Sequence, residues 1–487
     1  MRRSLPLLVL VGAVLAIAGC GSSSSPASSS AGARTAELSY FPSSSPVVLS
    51  LVTDPNAQSV KQGQALLGRF PIATFGQTLV MTELQRLGID YQSDIRPLFG
   101  NPIMVGETGS TLSGGGQVYL MAWVTRDAGK LRALVKKIPG MHSAGSHGGA
   151  TLYQNAGSMT LALDHATAVL GPSQAAVTSA LDRHAHAGGI SSADYDRDVS
   201  GLPQDALIQV FGSLSGVLSS PQATTARRVP WVAALRGYAA VISASGSGLT
   251  LQYRLDTSGG ALTSSQVPIT PGTTAPRFAG TLPITAAISD PAHVVAFAEA
   301  AAQAASPGSY ASFLKRDAAV KAKTGVDLNS LLGLLTGNLI LASDTHTTMV
   351  RATVSDPGAA ARDLSKLLTA PRSVLGQAST TSGLGGGFYA IKQRRITITV
   401  GVAGDQLVVG KAGAAQLRAF AAAPTTPVAG AQGSVAFRVT LSNLLALALK
   451  RPPPQIVAQL LSSLGDVTGS TSASTKALTG NATLAIK

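Results

Sequence analysis

"LGIDYQSDIRPLFGNPIMV" (residues 87–105) and "TGVDLNSLLGLLTGNLILA" (residues 324–342) are two versions of one stretch within a chain of 487 residues. Each has Gly, an apolar residue and Asp in succession, starting at Gly88 and Gly325, and each has a Gly-Asn pair at the same later position. Self-similarity at a fixed offset is the sequence signature of a repeated structural unit. The two stretches therefore predict two copies of one domain.

Other segments recur in the same order around this stretch. "VVLSLVTDP" corresponds to "ITAAISDP", which places Asp54 opposite Asp290, each followed by proline. A Gly- and Thr-rich segment with several prolines separates the copies and is typical of a linker. The predicted boundaries are 37–256 for repeat domain 1, 257–280 for the linker and 281–487 for repeat domain 2.

Each copy mixes the periodicities of helices and strands. Leu131, Leu134 and Val135 recur at helical spacing, whereas Ile396 and Ile398 alternate with polar residues as in a strand. Alternating strands with one covered face favour antiparallel sheets. Per copy we expect a strand, helices, two strands, a helix, two strands, a helix and two or three final strands. The predicted fold class is α+β: a tandem duplication of two similar domains, each a curved, mainly antiparallel sheet with helices on one face.

The composition allows large cores that contain few aromatic residues. Apolar residues make up 45% of the chain, aromatic residues 5% and charged residues 12%, and the mean hydropathy is +0.27. Ordinary soluble domains have about 25% charged residues. A surface rich in uncharged polar residues is consistent with a protein outside the cytoplasm.

The N-terminus has the three parts of a secretory signal. Two arginines supply positive charge, an apolar run spans residues 5–17, and two small residues precede Cys20. The run is short for a membrane span, and its end is typical of a cleavage site. Residues 1–19 are therefore predicted to be a signal peptide.

Cys20 is the only cysteine, so structural disulfides and cysteine-ligated metals are excluded. The sequence Ile17-Ala18-Gly19-Cys20 is similar to the lipobox of bacterial lipoproteins. That resemblance implies that diacylglycerol alkylates the thiol of Cys20, and that acyl chains such as palmitate hold the mature protein on the cell membrane, facing outside the cytoplasm. The Ser-rich residues 20–36 are predicted to be a flexible tether. A free thiol in an uncleaved anchor is the alternative.

Two stretches of the first copy resemble a bacterial envelope family: "YFPSSSPVVLSLVTDPNAQSVKQGQALLGRFP" and "LGIDYQSDIRPLFGNPIMVG". The family is defined only as domain of unknown function 3352. The shared features are a proline before the first strand, an amphipathic helix that ends in Phe70-Pro71, and the Gly-Ile-Asp segment that leads to Gly100. The second copy departs from this pattern, with Thr336 in place of Phe99. The resemblance implies the fold and an envelope location, and it implies no activity.

His184 and His186 are a candidate pair of metal ligands, because alternate residues of a strand share a face. They lie, however, in "TSALDRHAHAGG", which is typical of a helix end, where the helix dipole favours histidine. No third ligand has suitable spacing. We expect a solvated helix cap and no metal.

Asp194, Asp196 and Asp198, followed by Asp205, match four acidic positions of a calcium-binding loop. The turn glycine of such a loop is absent, and its bidentate Glu is replaced by Asp. We therefore expect an exposed acidic loop and no calcium.

The sequence shows no arrangement for nucleophilic catalysis or phosphate binding. Neither Gly-x-Ser-x-Gly nor Gly-x-x-x-x-Gly-Lys occurs. Asp54 and Asp290, each before a proline, are predicted to be turn and helix-cap residues rather than a catalytic pair. We expect no enzymatic activity and no cofactor.

The second copy carries most of the net charge. Residues 20–274 contain 16 basic and 14 acidic side chains, whereas residues 275–487 contain 19 basic and 9 acidic side chains. The polyanions outside a membrane are lipid head groups and wall polymers, so an anionic envelope surface is the expected partner and nucleic acid is not. Charge that serves solubility alone is the alternative.

Together these features predict a membrane-anchored, extracytoplasmic lipoprotein that binds or scaffolds another envelope component without catalysis. The sequence does not indicate which protein it would bind. A lipid or glycolipid carrier with an apolar cavity is the alternative, because the strands are rich in Ala, Val and Leu and aromatic residues are few. A hydrolase with scattered catalytic residues is a third hypothesis without a supporting motif.

Overall fold

The chain forms two compact units. The computed structural model describes residues 30–108, 119–155, 159–258, 262–270, 275–344, 346–370, 379–393, 396–431, 433–441, 458 and 461–487. Unit 1 contains the described residues of 1–221, 236–256 and 486–487, and unit 2 contains those of 222–235 and 257–485.

Unit 1 contains ten strands among its described residues. They are β1 (Val48–Leu51), β2 (Ile103–Glu107), β3 (Tyr119–Val124), β4 (His142–His147), β5 (Ala150–Gln154), β6 (Thr160–Asp164), β7 (Thr167–Gly171), β8 (Ile208–Ser213), β9 (Leu235–Ser245) and β10 (Gly248–Thr257). The helices are α1 (Ser30–Leu38), α2 (Gln58–Leu67), α3 (Pro71–Arg86), α4 (Ala128–Lys137), α5 (Gln174–Ala185), α6 (Ser192–Asp198) and α7 (Ser215–Ser219). Short π and 3-10 turns, Tyr91–Ile95 and Arg96–Leu98, lead from α3 to β2.

Unit 2 contains a further set of strands and helices. Its strands are β11 (Arg277–Ala279), β12 (Ile284–Ile288), β13 (Leu335–Ser343), β14 (Thr348–Val354), β15 (Ser379–Gly385), β16 (Phe388–Gln393), β17 (Ile396–Ala403), β18 (Gln406–Gly410), β19 (Thr425–Pro427), β20 (Val435–Thr440), β21 (Leu464–Ala473) and β22 (Ala477–Ile486). Its helices are α8 (Pro230–Ala234), α9 (Pro291–Ala305), α10 (Pro307–Thr324), α11 (Leu328–Gly333), α12 (Pro357–Thr369) and α13 (Ala414–Ala422).

Both units pair their strands in the same order. In unit 1 the order is β4-β5-β6-β7-β3-β2-β1-β8-β9-β10, through antiparallel pairings. In unit 2 it is β15-β16-β17-β18-β14-β13-β12-β20-β21-β22. The protein is therefore mixed α+β, built on antiparallel sheet structure, as the strand periodicity predicts.

The two sequence stretches that resemble each other have the same local structure. Gly88 and Gly325 follow helices α3 and α10 with positive φ values of 69° and 70°. The next Asp of each stretch caps a short helical segment: Asp90 accepts the N–H of Ser93, and Asp327 accepts that of Ser330. The stretch thus ends one helix and starts another in each unit.

Helices cover both faces of the central strands of unit 1, so the predicted one-sided arrangement is wrong. Met104 and Ala122 belong to a core that also contains α1 and α5 residues, whereas their neighbours Ile103 and Trp123 belong to a second core with residues of α3 and α4. Successive residues of a strand point to opposite faces. Since both faces of these strands are apolar, each needs a covering layer, which helices supply here.

The structure has four strands, rather than the predicted two, between α4 and α5. The unpredicted strands include β4, "HSAGSH", whose side chains are mostly exposed. It is held by its backbone pairing with β5, which shifts register between Ser143 and Ser146. An exposed strand at the end of a sheet needs no apolar alternation, so hydrophobic periodicity could not reveal it.

The segments predicted to be a flexible tether and a linker both contain regular secondary structure. The predicted tether extends to residue 36, but helix α1 begins at Ser30, because its residues Ala33 and Leu38 are buried. The predicted linker at 257–280 contains strand β11, which pairs with β19 in unit 2.

The predicted helix with Leu131, Leu134 and Val135 on its buried face is confirmed as α4.

Replacing Gly88 or Gly325 with alanine is expected to cost similar stability in the two units. No atom lies within 4 Å of a Cβ at either position, so the cost comes from the left-handed backbone alone. It amounts to about 1–2 kcal/mol of unfolding free energy, measurable by urea denaturation. Gly308→Ala is the control, since that helical glycine has open space and an ordinary φ. Unchanged stability in Gly88→Ala or Gly325→Ala would contradict this account.

Candidate functional site

Cys20 and the predicted signal at residues 1–19 lie outside the described residues. Lipidation of Cys20 therefore stays a prediction. Among the residues that the structure describes, no helix is long and apolar enough to cross a membrane.

The two candidate histidine ligands have different surroundings. His186 is the C-cap of α5, and its Nδ1 lies 2.7 Å from the carbonyl oxygen of Asp182. His184 is half-buried, stacks on the ring of Tyr40 with a centroid distance of 4.3 Å and contacts the Ser39 hydroxyl. The expectation of solvated histidines is thus wrong for His184, because residues that follow α1 cover it.

The acidic stretch around Asp194 is a helix, so the predicted exposed loop is wrong. Ser191 caps α6 by accepting the N–H of Asp194, and Arg197 forms salt bridges with Asp194 and Asp198. Asp205 lies elsewhere and accepts the hydroxyl of Ser59. Within the described part of the chain, no group of three His, Cys, Asp or Glu side chains is placed to hold a metal ion.

Asp54 and Asp290 have the structural roles expected of them. Asp54 accepts the N–H of Asn56 in a turn and lies 3.4 Å from Arg126. Asp290 is the N-cap of α9 and accepts the N–H of His293, with Pro291 as the first helical residue.

Unit 1 contains an apolar cavity of about 310 Å³. Helix α2 covers it on one side, and residues near the ends of β1, β8, β9 and β10, together with Phe70 and Ile486, form the rest of the wall. Gln64 has the one polar side chain among the described lining residues. These are Leu51, Val52, Val60, Gly63, Gln64, Leu66, Leu67, Phe70, Leu207, Ile208, Ile242, Leu249 and Ile486.

Two local features place α2 over this cavity. Gly63 lets the helix approach Leu207, since a Cβ at Gly63 would lie only 3.0 Å from a Leu207 methyl carbon. Arg69, just after α2, donates to the carbonyl oxygen of Gly246 at 2.7 Å and to that of Ile486 at 3.2 Å. The helix end is thereby tied to the turn between β9 and β10.

The lining of the cavity suits an apolar ligand. No acid, base or nucleophile lines it within the described residues, so it can act by removing apolar surface from water. Small-molecule sites typically have about 300–1,000 Å³ and are lined mainly by hydrophobic side chains. Neither the periodicity nor the composition located the cavity, because unfilled space depends on how α2 packs on distant strand ends.

Sequence reasoning also missed Glu37, a fully buried acid in α1. One carboxyl oxygen accepts the N–H of Val124 in β3 at 2.8 Å, while the other has no hydrogen-bond partner among the described residues. Burial raises the pKa of Glu37 to about 9, although the Val124 N–H and the charge of Arg34 act in the opposite direction. Glu37 is therefore protonated at neutral pH.

Replacing Glu37 with glutamine is expected to remove a pH dependence of stability. The unfolded chain releases this proton near pH 4.5 and the folded chain near pH 9, so the unfolding free energy falls as pH rises between these values. The fall is at most about 1.4 kcal/mol per pH unit. Urea denaturation at acidic, neutral and mildly alkaline pH measures it. Glu83→Gln is the control, since Glu83 in α3 is partly exposed and pairs with Arg86. Parallel pH profiles for Glu37→Gln and wild type would contradict the assignment.

Known proteins provide three comparisons. The model of the family described as "Protein of unknown function (DUF3352)" matches residues 5–367. No curated protein matches. Crystal form III of TP0453 is similar at 10% identity and a TM-score of 0.28, covering 47% of this chain and 81% of that one. Crystal form IV of TP0453 gives 10% identity, a TM-score of 0.27 and coverage of 45% and 80%.

The likeness to TP0453 is too low to carry an argument about fold or function. The family match, in contrast, extends over more than half of the chain and includes both stretches of the first copy that resemble the family. This protein therefore belongs to the DUF3352 family, whose description assigns no function.

Proposed function

We propose that this protein is a non-catalytic lipoprotein of the bacterial cell envelope that binds a lipid acyl chain in unit 1. Anchoring rests on the lipobox-like residues that end in Cys20 and on the signal before them. The two acyl chains of diacylglycerol on Cys20 would supply the two hydrophobic attachments that stable anchoring needs.

The apolar cavity carries the proposal of a lipid ligand. Its lining is aliphatic apart from Phe70 and Gln64, and it has no charged side chain among the described residues. A polar metabolite would lose hydrogen bonds to water there without replacement. Each methylene of an alkyl chain, in contrast, contributes about 0.8 kcal/mol when it leaves water.

Scaffolding of another envelope component is the second candidate. It is supported by the excess of basic residues in 275–487, which offers a charged surface rather than an enclosed ligand site. A cavity that stays empty in the purified protein would favour this candidate.

We also propose that the two units arose by tandem duplication, with repeats at 37–256 and 281–487. The shared order of strand pairing supports this, as do the equivalent glycines Gly88 and Gly325. Unrelated domains seldom share both topology and local turn geometry at matching sequence positions.

Replacing Cys20 with serine is expected to move the protein from the membrane fraction to the soluble fraction, because the hydroxyl does not take the place of the alkylated thiol. Cell fractionation followed by immunoblotting measures the distribution. Ser24→Ala, in the same Ser-rich segment, should leave the protein on the membrane. Membrane retention of the Cys20→Ser variant would count against the anchor.

Replacing Leu249 with tryptophan is expected to fill the cavity and abolish lipid binding. Leu249 lines the cavity, whereas Leu251, two residues along the same strand, is exposed and does not. Native mass spectrometry of protein from its own envelope, before and after solvent extraction, should show an extractable lipid mass in wild type and in Leu251→Trp. The mass should be absent from Leu249→Trp.

Two results would contradict the lipid proposal. Wild-type protein without any bound lipid, even after incubation with palmitate, would leave the cavity without its proposed ligand. Equal lipid occupancy in Leu249→Trp and Leu251→Trp would place the lipid elsewhere. Circular dichroism of both variants controls for misfolding.

A further inference from the structure

Helices α9 and α10 of unit 2 form a hairpin whose tip exposes apolar side chains. Tyr310, Phe313 and Leu314 follow the spacing i, i+3, i+4, so they share one face of α10. Phe313 is 37% exposed and Leu314 is 40% exposed, and the ring centroids of Tyr310 and Phe313 are 6.2 Å apart. We call these three side chains the apolar stripe.

The same face of α10 is covered further along the helix. Asp317, four residues after Phe313, is buried and accepts the N–H of Leu328 at 3.1 Å. Val320 and Thr324, on the same side, are half-buried. Tyr310 is half-buried. The stripe is thus the start of a packing face, and the described residues of the chain cover this start only in part.

Cations follow the stripe directly. Lys315 and Arg316 are exposed, and neither forms a salt bridge within the described part of the chain. Their positions along the helix place them away from the stripe, on its polar sides. Glu299 and the buried Asp317 are the acidic residues of these two helices. The tip therefore combines an apolar face with uncompensated positive charge.

We propose that this hairpin tip docks on the surface of an anionic phospholipid bilayer. The apolar stripe enters the boundary between head groups and acyl chains, and Lys315 and Arg316 lie among the phosphates. Helices that lie in a membrane interface combine large apolar residues on one face with Lys and Arg on the other. The excess of 19 basic over 9 acidic side chains in residues 275–487 complements a negative surface.

This inference rests on the proposed function at one point: an anchor on Cys20 would hold the protein at such a surface. Docking itself needs neither the acyl chains nor the cavity of unit 1. It is therefore tested on the mature chain, residues 20–487, with Cys20→Ser, so that no acyl anchor contributes.

Sedimentation with vesicles of phosphatidylglycerol and phosphatidylcholine measures the docking. We expect this chain to bind these vesicles at low salt and to bind pure phosphatidylcholine vesicles much more weakly. Phe313→Ser with Leu314→Ser should weaken binding by at least about tenfold. Lys315→Gln with Arg316→Gln should weaken it by about thirtyfold.

Matched controls come from the same unit. Ile396 and Ile398 are 55% and 38% exposed, so Ile396→Ser with Ile398→Ser removes similar apolar surface away from the hairpin. Lys392→Gln with Lys411→Gln removes the same amount of exposed charge. Both control pairs should change binding by much less than the hairpin pairs. Equal losses in control and hairpin variants would overturn the proposal.

A fluorescence measurement locates the contact. Phe313→Trp should show blue-shifted emission when anionic vesicles are added, after subtraction of the signal from Trp123 and Trp231 in the parent chain. Unshifted emission, or no binding of the parent chain to anionic vesicles, would overturn membrane docking and point to a protein partner for the stripe. Neither result would alter the Cys20 fractionation or the lipid mass in unit 1, so the two proposals fail separately.

Discussion

The structure of unit 1 depends on the burial of its central strands on both faces. Strands β2, β3, β6 and β7 present apolar side chains alternately to two separate cores. A sheet with two apolar faces is stable in water only when another layer of secondary structure covers each face, and here both layers are helical. That requirement places α1 and α5 on one side and α3 and α4 on the other. Strand β4, at the end of the sheet, stays mostly exposed.

The cavity follows from the same arrangement. Helix α2 lies over the ends of the strands rather than over their centres, and Arg69 ties the end of this helix to the turn between β9 and β10. The lining residue Leu67 is 47% exposed, so this apolar space of about 310 Å³ opens at the surface of unit 1. A core with few aromatic side chains leaves such a space more easily, because Ala, Val and Leu fill less volume.

The two units have an equivalent pair of helices with different surroundings. Between the first strand and the Gly-x-Asp stretch, unit 1 has α2 and α3, and unit 2 has α9 and α10. In unit 1 the first helix of the pair, α2, covers the cavity, whereas in unit 2 the second helix, α10, exposes Phe313 and Leu314 beside two cations. Under the proposed duplication, one copy would be free to specialise, since both units have the same order of strand pairing.

The sequence by itself determined the features that depend on local pattern. Periodicity identified α4 and the antiparallel strands, the Asp-Pro pair identified the cap of α9, and the Gly-x-Asp stretches identified matching helix ends. Only the tertiary structure decided which faces are covered, that β4 exists, that Glu37 is buried and protonated, and that a cavity lies beneath α2. These properties depend on contacts between residues that are distant in the chain. Such contacts produce no periodic pattern in the sequence, so they could not be predicted from it.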